Sequence, residues 1–226
     1  MAKVKFGMMM TDASGKLGGH VFAKNRGGSY VRTKGIPSNP QTSSQMGIRG
    51  IFASISTRWA QLTEAQRNSF RNFVNDYATT DIFGDLRNPS GKSLFQRLNQ
   101  NLAISGQAQI DVCSSPQEVP FANLDTADGS AIATELNVTY TGDLTGSQVV
   151  FWATPAMSQG KKFVKNDLRQ ISVVAGDAGD TVDIGAAWAA RFGTLTAGAN
   201  IYVGIRVINA NGQASPLETV KADISA

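Results

Sequence analysis

The 226-residue chain has one cysteine, Cys113, and one histidine, His20. A single thiol excludes an intrachain disulfide. One thiol and one imidazole also leave the usual zinc ligand sets unfilled. A Ser-His-Asp or Cys-His pair would have only His20 to use. That residue sits in a glycine-rich, hairpin-like segment, a poor place to hold a base rigidly. Charge is sparse, at 17% of residues. No apolar run approaches the roughly 20 residues that a membrane span needs. The opening MAKVKFGMMMTD starts basic, but its apolar stretch is too short for a signal-peptide core and no small-residue cleavage site follows. The expectation is synthesis in the cytoplasm without a membrane anchor.

What charge there is lies unevenly. Residues 1–100 hold 14 Lys and Arg against 5 Asp and Glu, whereas residues 101–226 hold 7 against 12. A basic front half joined to an acidic back half points to an asymmetric partner, to stacking of like subunits, or to nucleic acid near one end.

The front half reads as a ribbon followed by helices. VKFGMMM (4–10) alternates weakly and is a strand candidate, and TDASGKLGG (11–19) is turn chemistry. HVFAKN (20–25) and SYVRTK (29–34) flank RGG (26–28), whose glycines tolerate the positive φ of a tight hairpin. So small a ribbon buries little area and is marginal alone. GIPSNPQT (35–42) is a stiff connector, with Asn39 as a helix cap and Pro40 as first helical residue. Ile48, Ile51, Phe52, Ile55, Trp59 and Leu62 follow helical spacing, giving a helix over 40–61. Thr63-Glu-Ala-Gln66 fits a capping box, so a second helix starts near 64, with Phe70, Phe73, Val74 and Tyr77 on one face. Two helices on a short link suggest DNA reading, but the second opens with Glu64 and offers few side chains for base edges. Gly91-Lys92-Ser93 resembles a phosphate loop only superficially: Leu86 stands where that pattern needs a glycine. A helix capped near Ser90, striped by Leu94, Phe95, Leu98 and Leu102 and stopped at Gly106, is the better reading.

The back half changes texture. Residues 111–130 lack periodicity and read as a linker. Strand candidates then recur at 133–141, 147–155, 168–176, 180–185, 200–209 and 217–225, separated by turn residues. This is the pattern of a β-sandwich of immunoglobulin or fibronectin type III style, with Trp152 as the core tryptophan between the sheets. AAWAARF (186–192) is the one helical stripe. Asp177, Asp180 and Asp183 are spaced by three; without an EF-hand pattern they read as an acidic turn rather than a calcium site. The expected fold class is therefore α+β: a β-ribbon arm with a small helical region (1–110), a linker (111–130) and an all-β sandwich (131–226). No nucleophile–base pair, metal set or phosphate loop stands, so neither enzymatic activity nor a cofactor is expected.

One resemblance is specific. Gly15-Lys16, Gly18-Gly19, Val21-Phe22, Lys24-Asn25-Arg26, Gly28, Tyr30, Arg32, Asn39-Pro40, Thr42 and Gln45 are followed by Trp59, Leu62 and Gln66-Arg67. Then come Gly91, Phe95 and Arg97-Leu98-Asn99. Over residues 7–105 this pattern resembles a family of small phage and prophage proteins, similar to structural components of tailed-bacteriophage virions. The resemblance implies a virion location in head, connector or tail. It also implies partners among other virion proteins and copies of the chain itself, with packaged DNA as a non-specific contact if the ribbon faces inward. The ribbon's Lys16, Lys24, Arg26, Tyr30, Arg32 and Lys34 become the candidate assembly residues, suited to strand addition at a partner's sheet edge. The alternative is a surface accessory whose sandwich binds host carbohydrate or receptor. It would need exposed loop aromatics, for which Phe163 and Trp188 are the candidates.

Overall fold

A computed structural model of the chain describes residues 2–35, 38–176 and 181–225. These form two compact units, Met1–Arg49 with Thr79–Arg87, and Gly50–Ala78 with Asn88–Ala226.

The first unit is a four-stranded antiparallel sheet in the order β1-β4-β3-β2, from β1 (Ala2–Lys3), β2 (Gly15–Leu17), β3 (His20–Asn25) and β4 (Gly28–Thr33). The strand anticipated at 4–10 is absent, and its place is taken by the two-residue β1. The segment read as turn, 11–19, instead contributes β2. The β3–β4 hairpin pairs Asn25 with Gly28. Asn25 Oδ1 accepts the Gly27 N–H at 2.8 Å. Gly28 has φ +98°, a value L side chains rarely adopt. The unit also holds a hairpin of β5 (Thr79–Thr80) and β6 (Leu86–Arg87). Asp81 organises its turn by accepting the N–H groups of Phe83 at 2.8 Å and Asp85 at 3.2 Å.

Helix α1 (Ser43–Gln61) begins in the first unit and continues into the second. Its cap is Thr42, whose hydroxyl accepts the Gln45 N–H at 3.3 Å. Asn39, the expected cap, instead accepts a hydrogen bond from Arg49 at 2.6 Å. Helix α2 (Glu64–Asn72) opens with the anticipated capping box between Thr63 and Gln66. Helix α3 (Gly91–Ser105) has Ser90 as its N-cap and Gly106 in the left-handed region at φ +72° as its stop.

These helices share a core. Trp59, Phe70 and Phe95 meet ring to ring, with Trp59–Phe95 at 5.2 Å and Phe70–Phe95 at 5.1 Å between centroids. Ile55, Leu62, Tyr77, Leu94, Leu98 and Cys113 close around them. The motif residues make this junction. Arg67 donates to the carbonyls of Trp59 and Ala60 at the end of α1, at 3.3 and 2.7 Å. Gly91 sits where a Cβ would lie 2.9 Å from Arg71 Cγ.

The second unit also holds a curled seven-stranded sheet, in the order β10-β9-β12-β13-β7-β8-β11. Its strands are β7 (Asn123–Ser130), β8 (Glu135–Thr141), β9 (Gln148–Ala153), β10 (Arg169–Ala175), β11 (Thr181–Asp183), β12 (Ile201–Ile208) and β13 (Glu218–Ser225). All pairings are antiparallel except β13 with β7. The sheet folds over Leu136, Val138, Tyr140, Val149, Phe151, Val203, Ile205 and Val207.

The molecule is mixed α and β, and the expectation of an all-β region over 131–226 is corrected. Helix α4 (Gly185–Phe192) lies within it, and Trp188 is 1% exposed in the sheet's core. The indole N–H of Trp188 donates to the Thr154 carbonyl at 2.9 Å. Trp152, the residue anticipated for that role, is only half-buried. It faces the other side of the sheet, paired with Gly204 and in line with Val150 and Arg206. Helix α3 packs against that side of β9 and β12. Gln170 Nε2 donates to the Ile104 carbonyl at 3.1 Å, and Asn101 Nδ2 to the Gly212 carbonyl at 2.8 Å. Both faces of β9 and β12 are therefore covered, which is why these strands read as continuous apolar runs.

Candidate functional site

The β3–β4 register places the ribbon's side chains in rows. Lys16, Val21 and Arg32 share one row, and Ala23, Tyr30 and Lys3 share the next. Alternation along each strand puts both rows on the same face, so Lys3, Lys16, Tyr30 and Arg32 line one side. Phe22 pairs with Val31 on the opposite side, where Lys24 also stands. Arg26 is in the turn and Lys34 follows β4.

Lys16, Lys24, Arg26, Arg32 and Lys34 are exposed and Tyr30 is half-buried. Lys24 has a loose partner, Asp12 at 3.4 Å. Lys16, Arg26, Arg32 and Lys34 form no ion pair among the described residues. Two further lysines, Lys3 and Lys5, are paired and hold the unit itself together. Lys3 meets Asp81, and Lys5 meets Asp85 at 2.7 Å while lying 5.3 Å from the Phe83 ring centroid. The Lys3 ammonium, with the Phe83 N–H, holds the Asp81 carboxyl below its ordinary value. Arg87 lies across Gly27, where an added Cβ would come within 2.8 Å of the guanidinium.

Among the described residues of this unit, no side chain is buried. Met8, Met9, Met10, Leu17, Ile82, Phe83 and Leu86 are all exposed apolar groups. Sequence reasoning located the cations but missed this apolar company, because Ile82, Phe83 and Leu86 come from a segment 50 residues downstream. His20 is exposed on β3, opposite Thr33.

Asp177 and Asp180 lie outside the described residues. Asp183 accepts the N–H groups of Leu136 at 2.9 Å and Gly185 at 2.8 Å, a structural use. Among the described residues no group of three His, Cys, Asp or Glu is placed to hold a metal ion, and no helix is long and apolar enough to cross a membrane. Of the two aromatics proposed for glycan contact, Phe163 is exposed but Trp188 is not, which corrects that pair.

No protein-family model matches the chain, and no curated protein matches it. Two solved structures are similar over part of it. A family 76 glycoside hydrolase from a bovine Bacteroides thetaiotaomicron strain is 15% identical over 46% of this chain, with a TM-score of 0.34. A GH3 beta-glucosidase from Bifidobacterium adolescentis is 14% identical over 54% of it, with a TM-score of 0.20. The similar region spans 20% of the length of each of those chains. The expectation that this chain is not an enzyme is withdrawn: both similar structures are of glycoside hydrolases, and the comparisons decide neither for an enzyme nor against one. At such TM-scores neither likeness carries an argument for an activity.

Proposed function

We propose that this chain is a structural component of a tailed-bacteriophage virion. It docks through its basic N-terminal ribbon and carries a fibronectin type III-like domain. The observation that carries the reading is the ribbon unit without a single buried side chain among its described residues. A fold is maintained by apolar burial, and four short strands with no described side chain more than partly buried are incomplete alone. A partner surface supplies the missing burial. Lys16, Arg26, Arg32 and Lys34, four cations without an ion pair among the described residues, suit an acidic partner surface and steer the encounter. The family resemblance of residues 7–105 supports the same conclusion. The strand order, with β7-β8-β11 on one side of the β13–β7 junction and β10-β9-β12-β13 on the other, supports the fibronectin type III-like reading.

The partners proposed are neighbouring virion subunits and copies of the chain itself. Packaged DNA is the outcome to expect if binding falls steeply with salt and shows no sequence preference. The test is complementation of assembly with a chain lacking residues 2–35. Co-sedimentation of the full chain with particles, and loss of co-sedimentation on deletion, is the expected result. Equal incorporation of the deleted chain would overturn the reading.

A further inference from the structure

A cleft of about 430 Å³ in the second unit is lined by Arg97 from α3 and Arg206 from β12, with Tyr77, Asn101, Gln213 and Ser215 among its walls. No carboxylate lines it. Among the described residues neither arginine forms an ion pair. Among the described residues the Arg206 side chain donates no hydrogen bond, and its Nε is buried without a partner there. Arg97 lies 5.7 Å from the Tyr77 ring centroid and donates once, weakly, to the Tyr77 carbonyl at 3.4 Å. Most of its donors remain unused. Asp76, the neighbouring acid in sequence, bonds neither guanidinium.

Two cations held in one cleft repel each other, and a buried donor without a partner is costly. Such an arrangement is stable where a counter-ion completes it. Part of the rest of the wall is already engaged. Asn101 Nδ2 is committed to the Gly212 carbonyl and Gln213 Oε1 accepts from Gln117 and Asn209. The charged donors left over are the arginines', and their fork geometry matches the paired oxygens of a carboxylate or phosphate. The surroundings make the charge more telling, because residues 101–226 are acidic overall.

We infer that the cleft between Arg97 and Arg206 is a binding site for a small oxyanion, a molecule bearing a carboxylate or phosphate group. Its size suits a ligand of sugar-acid or sugar-phosphate dimensions.

The test uses the full chain with citrate and inorganic phosphate as separate probes, read by titration calorimetry and by thermal melting. Saturable one-to-one binding of either probe, with a rise in melting temperature, is expected, and the better probe identifies the oxyanion class. Arg206→Gln should weaken that binding by roughly tenfold or more, the effect of losing charged hydrogen bonds. Arg97→Gln, on a different element, should do the same and guards against misfolding of the first variant. A merely structural Arg206 would lower the melting temperature without any anion. The site reading predicts that Arg206→Gln melts no lower than the parent in anion-free buffer and loses only the anion-dependent rise. No saturable binding of either probe, or equal binding by both variants and the parent, would overturn the inference.

Discussion

Asn99 and Ile110 are joined by two hydrogen bonds. Asn99 Nδ2 donates to the Ile110 carbonyl at 3.0 Å, and Asn99 Oδ1 accepts the Ile110 N–H at 2.8 Å. The asparagine is fully buried and also donates to the Phe95 carbonyl at 3.1 Å. It thus serves residue 110 as a neighbouring strand would, and ties the segment after α3 back onto the helix. Asn99→Ala strands both backbone groups of Ile110. A loss of about 2–4 kcal/mol in unfolding free energy is expected, measured as a lower urea midpoint at unchanged slope. A change under about 0.5 kcal/mol would show the clamp to be idle.

Cys113 and Tyr77 give the second unit an alkaline limit. Burial pushes the Cys113 thiol up to about 11 from 9.0, and the Tyr77 phenol up to about 12 from 10.0. A group whose folded value is raised contributes fully below its unfolded value and loses that contribution as pH climbs through the folded one. Stability should therefore fall between pH 9 and about 12. Cys113→Ala should flatten the part of the fall between 9 and about 11. The native thiol should also react with a maleimide far more slowly than the urea-unfolded one at neutral pH. An equal rate in the two states would contradict this.

Gly185 is fixed by backbone. A Cβ there would lie 2.2 Å from the Thr134 carbonyl oxygen and 2.7 Å from Glu135 Cα. Gly185→Ala should cost about 1–3 kcal/mol, because the helix start of α4 must move off β8. At Gly160 nothing lies within 4 Å of the added atom, so Gly160→Ala should stay within about 0.5 kcal/mol. The pair is compared by thermal melting; equal losses would refute the account of α4's docking.

Lys16 and Arg32 occupy one row of the ribbon face, flanking Val21. Lys16→Glu with Arg32→Glu reverses that row. Incorporation into particles should fall by roughly tenfold, as expected when like charges meet at an interface, with part of the loss recovered at raised salt. Unchanged incorporation would remove the cationic row from the docking surface.

The helices were legible because their signals are local. Thr63 with Gln66, Ser90 and Gly106 mark ends by capping chemistry, and Phe70, Phe95 and Leu98 keep a 3.6-residue period. Six strands of the curled sheet were equally legible from their β-branched runs. Strand β7, NLDTADGS, was hidden in an apparent linker. It is polar, it carries a register shift between Leu124 and Thr126, and its inward positions are small. Gly129 lies where a Cβ would come 2.6 Å from Ile224 Cδ1 and 3.0 Å from the Glu135 carbonyl oxygen, contacts made only in tertiary structure. The choice between Trp152 and Trp188 failed for a related reason. Period-two reasoning assumes one covered face, and α3 covers the second. At the candidate docking site the cations were visible as composition. The lack of burial around them, and the approach of 79–87 to the ribbon, were not, since both depend on chain segments far apart.

The docking claim is tested most directly by hydrogen–deuterium exchange of residues 15–34, in the free full-length chain and in assembled particles. The account predicts fast exchange in the free chain, with β12 of the same molecules well protected, and slow exchange once assembled. Exchange in β3 and β4 of a monodisperse free chain as slow as in β12 would contradict it.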